Sequence, residues 1–322
     1  MAGRYRPIQQ IGTGGMSVVW HARDEVLDRP VAVKVLADGY ASDLAFRERM
    51  RREARAAARL CHPQVNTVYD YGETPDGVPY MVMELIDGPS LADELRTGPL
   101  PWPRALPVCA DVAAGLGAAH AAGLVHRDVK PGNVMLGSTG AKLVDFGISA
   151  EIGESYDPAP DGSVLGTPAY VAPERLTSGP ALAASDVYGL GLLLYRTLTG
   201  RLPWDVESRG QLLHAHLMRD PAPLPRLPGL PGEVGALVRH CLAKDPADRP
   251  TAGQLADDLA RAVDRAGRSR RIVARLGART PRLSKLRSRG LRRAGPVTAG
   301  ALTVAGLSVL ADPIVVRPPG AK

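Results

Sequence analysis

Three side chains of the kinds that phosphoryl transfer requires lie close together in one short run. Residues 124–136 read LVHRDVKPGNVML and contain Asp128, Lys130 and Asn133. A carboxylate can orient and deprotonate an acceptor hydroxyl, an ammonium group can steady a γ-phosphate, and a carboxamide oxygen can bind magnesium. These residue types at this spacing predict a phosphoryl-transfer loop that leads into an apolar strand.

A second carboxylate follows the next apolar strand. Residues 142–147 read KLVDFG, so Asp145 lies where that strand ends. A carboxylate in this position is a good ligand for a hard cation. By itself the DFG tripeptide is typical of an ordinary turn, but after the first run it predicts a magnesium ligand at Asp145.

A glycine-rich segment near the N-terminus is suited to holding phosphates. Without a Cβ atom the backbone can approach phosphate oxygens closely and offer its N–H groups to them. The β-branched residues after the glycines favour a hairpin over the helix that a dinucleotide-binding turn needs; an ordinary glycine-rich hairpin is the alternative. The segment comprises Ile11, Gly12, Thr13, Gly14, Gly15, Met16, Ser17, Val18 and Val19.

Lys34 lies in the apolar sequence VAVKVL, where an unpaired ammonium group is costly. A predicted helix over residues 43–60 offers a partner. At 100° per residue, Glu53 falls within about 60° of the apolar positions of this helix, whereas Glu48 falls about 220° away. We therefore expect Glu53 to pair with Lys34 and to hold it against the α- and β-phosphates; an exposed edge lysine is the alternative.

Further signals follow along the chain. Residues 166–174 read GTPAYVAPE, Asp186 opens an apolar helix, and Arg249 lies in DPADRP. A plain turn, a helix cap and a surface arginine would account for each of them separately. Together they favour a buried ion pair between Glu174 and Arg249.

The elements that must position these residues fall into two groups. Apart from the helix 43–60, the first part of the chain is rich in strand signals, at residues 5–11, 17–22, 31–36, 65–71 and 79–85. Helical signals then dominate, at residues 105–122, 186–199, 233–243 and 251–264, with a proline-rich loop at 220–232. The layout predicts an α+β fold with a small strand-rich lobe that contains one helix and a larger helical lobe.

The ordered set of motifs resembles the protein-kinase superfamily. Through GTGGMS, HRDVKPGN and SDVYGLG it is most similar to the bacterial Hanks-type serine/threonine protein kinases of actinobacteria. The resemblance covers residues 4–262 and implies a bilobal catalytic domain that binds ATP between its lobes. It also implies Mg²⁺, for which Mn²⁺ can substitute, and protein substrates with serine or threonine acceptors.

The resemblance carries roles to individual residues. Asp128 would be the base and Lys130 the γ-phosphate contact, Lys34 and Glu53 the ion pair, and Asn133 and Asp145 the metal ligands. The adenine would lie against Ala32, the gatekeeper Met83 and the connector residues Glu84 and Ile86. Thr167 would bridge Asp128 and Lys130, Glu174 would belong to the substrate-binding segment, and Asp186 and Arg249 would be structural.

Two features depart from the family pattern. Ser17 replaces the third glycine of the glycine-rich segment, and no threonine lies between Asp145 and Thr167. An activating phosphate would therefore fall on Ser155 or Ser163, with Ser149 less favoured. Arg127 would be its receptor, unless the loop is active without phosphate.

Other classes of protein remain as alternatives. A pseudokinase would be marked by loss of Lys34, Asp128 or Asp145, and all three are present. A small-molecule kinase such as an aminoglycoside phosphotransferase would share the base and metal residues but usually lacks the segment 166–174. A nucleic-acid-binding tail would bind DNA in a salt-sensitive way. Because that tail has no aromatic side chains for base stacking, we expect no nucleic-acid partner.

Charge is divided unevenly along the chain. Residues 1–260 contain 25 basic and 31 acidic side chains, whereas residues 261–322 contain 15 basic and two acidic ones. This asymmetry places a boundary near residue 262. We expect a basic, disordered, juxtamembrane-like linker at 263–296, a weakly apolar segment at 297–316 and a short tail at 317–322.

The tail leaves three hypotheses open: a disordered basic extension, adsorption to anionic lipid, and a single membrane span at 297–316, which Asp312 interrupts. No secretory signal is expected, because the first seven residues have no apolar core. The three cysteines show no metal or disulfide spacing, which is typical of a reducing cytosol. We expect a cytoplasmic kinase domain, with attachment to the cytoplasmic membrane face and a homodimer for trans-autophosphorylation as further hypotheses.

Overall fold

The computed structural model describes residues 3–14, 17–41, 43–145, 150–151, 168–177, 179–180 and 182–277. The chain divides into a unit Met1–Arg275 and a unit Leu276–Lys322. The fold described below belongs to the first unit. Of the second unit, the described residues comprise only the end of a helix.

A five-stranded antiparallel sheet forms most of the N-terminal lobe. Its strands are β1 (Tyr5–Thr13), β2 (Ser17–Asp24), β3 (Arg29–Leu36), β4 (Val68–Glu73) and β5 (Pro79–Glu84), in the order β1-β2-β3-β5-β4. Alternate residues of β3 face opposite sides of the sheet, as the period of a strand requires. Val31 and Val33 pack with Tyr5 on one face, while Ala32 and Leu36 lie on the other.

Two helices follow β3: α1 (Asp38–Ala41) and α2 (Leu44–Ala57). The side chain of Asp43 caps α2 by accepting a hydrogen bond from the N–H of Ala45. Met50 and Ala54 of α2 are buried against the second face of the sheet. This packing directs the side of α2 that carries Glu53 towards β3.

Helices dominate the C-terminal lobe. They are α3 (Leu91–Leu95), α4 (Trp102–Ala121), α5 (Pro173–Leu176), α6 (Ala183–Thr199), α7 (Arg209–Met218), α8 (Glu233–Cys241) and α9 (Ala252–Gly277). The middle of α6 is buried on every side, and α4 and α8 pack against it. The helices α6 and α8 approach so closely that a Cβ atom on Gly191 would lie 2.6 Å from Cys241 Cβ.

Four short strands surround the predicted transfer loop. They are β6 (Leu124–Val125), β7 (Val134–Gly137), β8 (Gly140–Leu143) and β9 (Ala150–Glu151). Strands β7 and β8 form a hairpin, and β6 pairs with β9. These pairings hold both ends of the loop 126–133.

The predicted α+β architecture with two lobes is confirmed. Helices α1, α3, α5 and α7 were not predicted. Helix α9 continues to Gly277, so residues 263–277, where we expected a disordered linker, are helical in the structure. No helix among the described residues is both long and apolar enough to cross a membrane, and the segment 297–316 lies outside that part of the chain.

Candidate active site

The loop that contains the predicted base is supported by Asp186 of helix α6. Its buried carboxylate accepts hydrogen bonds from the backbone N–H groups of His126 at 2.7 Å and Arg127 at 2.8 Å. His120 Nε2 lies 2.8 Å from the same carboxylate. Arg127 has a φ of +67°, a strained value for a residue with a side chain. The two bonds to Asp186 support that conformation and fix the direction in which Asp128 leaves the loop.

Asp128, Lys130 and Asn133 meet at one carboxylate oxygen. Asp128 Oδ2 lies 2.5 Å from Lys130 Nζ and 3.0 Å from Asn133 Nδ2. The same amide group donates to the carbonyl oxygen of Asp128 at 2.8 Å. The side chain of Asp128 is 25% exposed, so a substrate hydroxyl can reach it. A shielded but accessible carboxylate beside a cation suits a catalytic base.

A cluster of charged groups from both lobes surrounds Lys34. Lys34 Nζ lies 3.0 Å from Glu53 Oε1 and 3.0 Å from Asp145 Oδ1. Helical periodicity had led us to expect the contact with Glu53. The contact with Asp145, 111 residues further along the chain, comes only from the tertiary structure.

Burial and charge compete within this cluster. Burial alone would lower the pKa of Lys34, but the negative charges of Asp145 and Glu53 outweigh it and raise that pKa above its ordinary value. Burial would raise the pKa of Asp145, whereas the ammonium group of Lys34 holds it below its usual range. Burial raises the pKa of Glu53, and Lys34 offsets only part of this effect. Lys34 is therefore a firmly protonated cation at neutral pH.

The predicted nucleotide-binding residues occupy neighbouring strands. Val19 pairs with Lys34 between β2 and β3, and Ala32 pairs with Met83 between β3 and β5. Ala32 and Met83 are buried, whereas Ile11 is 49% exposed at the end of β1. The N–H of Gly14 bonds to the carbonyl oxygen of Ser17 at 2.7 Å and closes the glycine-rich turn. Gly12, Thr13, Ser17 and Val18 belong to the flanking strands, and Gly15 and Met16 lie outside the described residues.

Asn133 and Asp145 fit a hard metal ion such as Mg²⁺. The Val144 N–H donates to the Asn133 carbonyl oxygen at 3.0 Å, which keeps the two residues on adjacent chain segments. The amide nitrogen of Asn133 is used by Asp128, which leaves its carboxamide oxygen for a cation. No group of three or more His, Cys, Asp or Glu side chains among the described residues could hold a metal alone. Two oxygen ligands suit Mg²⁺, which commonly takes its remaining ligands from phosphates and water.

Glu174 and Arg249 form the buried pair that we expected. Both guanidinium Nη atoms contact the carboxylate, at 2.8 and 2.9 Å. Ser185 Oγ donates to Glu174 Oε1 at 2.6 Å. Burial alone would raise the pKa of Glu174, but Arg249 and Ser185 hold it below its ordinary value. The pair ties helix α5, just after the segment Pro168–Tyr170, to the turn that precedes helix α9.

Some predicted residues lie outside the described part of the chain: Ser149, Ser155, Ser163 and Thr167. The structure also shows contacts that the sequence did not predict. Lys142 pairs with Glu84, and Arg196 Nη1 donates to the Tyr170 hydroxyl at 2.7 Å. The sequence could have indicated a partner for Lys142 by the same argument as for Lys34, because both are lysines in an apolar strand.

Comparison with known proteins agrees with this geometry. The protein kinase domain family matches residues 5–259, and the chain belongs to that family. Serine/threonine-protein kinase PknA of Mycobacterium tuberculosis is 44% identical over 277 residues, which cover 83% of this chain and 63% of that relative. PknA of Mycobacterium bovis gives the same figures. PknB of Mycobacterium tuberculosis is 43% identical over 269 residues, or 81% of this chain and 43% of that relative.

The resemblance to bacterial kinases that the motifs indicated is thus confirmed. The chain spans less than two thirds of the length of these relatives, at 63% and 43%.

Proposed function

We propose that this chain is a serine/threonine protein kinase that transfers the γ-phosphoryl group of ATP to protein hydroxyls in bacterial signalling. The observation that carries the proposal is the position of Lys34 Nζ, 3.0 Å from Glu53 in one lobe and 3.0 Å from Asp145 in the other. This contact brings the proposed phosphate-binding lysine and a metal ligand together in the cleft between the lobes. The relatives are serine/threonine-protein kinases, which supports the same activity.

Each side chain of the site has a role in this proposal. Lys34, held by Glu53, contacts the α- and β-phosphates, and Lys130 contacts the γ-phosphate. Asp128 orients the acceptor hydroxyl and takes its proton as the oxygen attacks phosphorus. Asn133 and Asp145 hold Mg²⁺, which neutralises phosphate charge when it is bound. Ile11 and the glycine-rich turn of residues 12–19 cover the nucleotide.

Serine and threonine are the proposed acceptors. Lys130, two residues after the base, resembles the serine/threonine class of kinases. Thr167 is proposed to narrow the acceptor cleft between Asp128 and Lys130, and the segment up to Glu174 to bind the substrate peptide. Arg196 donates a hydrogen bond to the Tyr170 hydroxyl and so supports the described part of that segment, residues 168–174.

The test is the variant Asp128→Asn, assayed as the full chain with Mg²⁺-ATP and a mixture of serine, threonine and tyrosine peptides. We expect transfer to fall by roughly 10²- to 10⁴-fold while ATP affinity stays within about twofold, since a general base acts in the transition state. Asp76→Asn, at an exposed position in the turn between β4 and β5, is the matched control and should retain activity. Full activity of a folded Asp128→Asn protein would remove Asp128 from its role, and phosphotyrosine as the main product would remove the acceptor class.

Regulation and location are also proposals. We propose that an activating phosphate on Ser155 or Ser163 binds Arg127. A homodimer would allow phosphorylation in trans. We propose that the basic tail attaches the kinase to the cytoplasmic membrane face. Phosphosite mapping after incubation with Mg²⁺-ATP tests the first point. Membrane fractionation tests the last: a protein that stays in the supernatant at low salt would contradict attachment, release by high salt would indicate adsorption, and release only by detergent would indicate a span.

A further inference from the structure

An ion pair ties the connector between the lobes, residues 84–90, to the hairpin of β7 and β8. Lys142 Nζ lies 2.6 Å and 2.7 Å from the two carboxylate oxygens of Glu84. The side chain of Lys142 is only 14% exposed and that of Glu84 27%. An ammonium group that contacts both oxygens at a shielded place is held more firmly than a pair on the open surface.

The two partners come from the two chain segments that the proposed nucleotide site brings together. Glu84 ends strand β5, directly after Met83, and its N–H bonds to the Thr67 carbonyl oxygen at 2.9 Å. Lys142 lies in β8, three residues before Asp145. The partner strand β7 begins directly after Asn133. The hairpin that bears Lys142 therefore leads to both proposed metal ligands, while Glu84 begins the connector proposed for adenine.

The far end of the connector is fixed to the same hairpin by its backbone. The Leu136 N–H donates to the Pro89 carbonyl oxygen at 2.9 Å, and Ser90 forms a bridge with Met135. These bonds hold residues 89 and 90. At the other end of the connector, Lys142 supplies the contact to the hairpin.

We propose that Lys142 is a positioning residue. It keeps the adenine-binding connector at a fixed position relative to the hairpin that leads to the proposed metal ligands. The inference rests on the proposed ATP site. Without Lys142, the partly exposed carboxylate of Glu84 would lose its cation and rotate towards water, because a charge without a partner is more stable when it is hydrated. The start of the connector would then move relative to Asp145. A nucleotide could no longer contact the connector and the metal site at the same time.

The experiment compares nucleotide affinity and turnover of the full chain in Lys142→Met, Lys142→Arg and the control Arg104→Gln. Arg104 forms an exposed ion pair with Glu94 at 3.2 Å that involves neither Lys142 nor Glu84, so it reports the loss of an ordinary pair. Binding of adenosine, of ATP with a chelator and of ATP with Mg²⁺ is measured for each protein. These ligands separate the adenine end from the metal end.

For Lys142→Met we expect about fivefold weaker adenosine binding, equivalent to about 1 kcal/mol, and a smaller Mg²⁺-dependent gain in ATP affinity. The KM for ATP should rise by a similar factor, with kcat changed by less than about twofold. Lys142→Arg should restore most of the affinity, because it restores the cation, and Arg104→Gln should bind like the wild type.

A lower melting temperature of Lys142→Met with unchanged adenosine and ATP affinity would overturn the inference, since the pair would then stabilise the fold only. If Lys142→Met does not fold, the same affinities and melting temperature are measured for Glu84→Gln. This variant removes the charge of the carboxylate but keeps a hydrogen-bonding side chain. A wild-type protein that binds no nucleotide would instead overturn the proposed function.

Discussion

Removing Glu174 should destabilise the protein strongly, because Arg249 would be left as a buried cation. The Arg249 side chain is 0% exposed, and beyond Glu174 its guanidinium group donates to three backbone carbonyl oxygens, those of Ala184, Ala243 and Lys244. Breaking a buried pair costs about 3–5 kcal/mol. The three remaining acceptors place Glu174→Ala near the lower limit, at about 3 kcal/mol.

Thermal unfolding of the full chain measures this cost. At roughly 2–4 °C per kcal/mol for a domain of this size, Glu174→Ala should melt about 6–12 °C below the wild type. Ser185→Ala removes only one hydrogen bond to the carboxylate and should cost about 1 kcal/mol. Glu174→Leu combined with Arg249→Met leaves no charge buried but also removes the donors to three carbonyl oxygens, so it should recover only part of the loss.

The pH dependence of stability provides a second measurement. The folded-state pKa of Glu174 is below its unfolded value, so its contribution is fully present above the ordinary glutamate pKa. The contribution is then lost as the pH falls through the lower folded-state pKa. The difference in stability between wild type and Glu174→Ala should therefore shrink on acidification below about pH 4.5. A melting temperature of Glu174→Ala within 1 °C of the wild type at neutral pH would refute the reasoning about the buried cation.

Three further outcomes are expected. Lys34→Met should lower phosphoryl transfer by roughly 10²- to 10³-fold in single-turnover assays, since it removes a fixed cation from the phosphates; a loss below tenfold would contradict that role. Asp186→Asn should reduce kcat more than it raises the KM for ATP, because the loop that carries the base loses a charged acceptor; equal effects on both constants would argue for a general loss of fold. Gly191→Ala should cost about 1–3 kcal/mol by thermal unfolding because of its approach to Cys241, whereas Gly235→Ala, with open space around it, should stabilise by about 0.5–1 kcal/mol.

Motif types and spacing predicted most residues of the site, and local periodicity predicted one contact, that of Glu53 with Lys34. Glu53 lies on the apolar side of one amphipathic helix, and this position was sufficient to suggest Lys34 as its partner. The contact between Lys34 and Asp145 depends on how the two lobes close, and no local pattern carries that information. The left-handed φ of Arg127 is likewise imposed by Asp186 from a separate helix, against the preference of the residue itself.

The same distinction explains the missed and misplaced elements. Helix α3 has only five residues, which are too few to show helical periodicity in the sequence, although it has a capping box of Ser90 and Asp93 and buries Leu91 and Leu95 one turn apart. Helix α7 is capped by Ser208 and has a mixed sequence with little periodicity. The run of arginines after residue 262 suggested an irregular linker, yet α9 continues to Gly277 because its alanines and arginines are good helix formers.

The support of the transfer loop by Asp186 has a consequence for the exchange of its amide hydrogens with solvent. The N–H groups of His126 and Arg127 bond to a carboxylate on the buried helix α6, not to a neighbouring strand that could fray. Their exchange therefore requires α6 to separate from the loop, an opening that exposes the centre of the helical lobe. These two amides should exchange about as slowly as the centre of α6 itself, so the proposed transfer loop should open no more often than the buried helix that supports it.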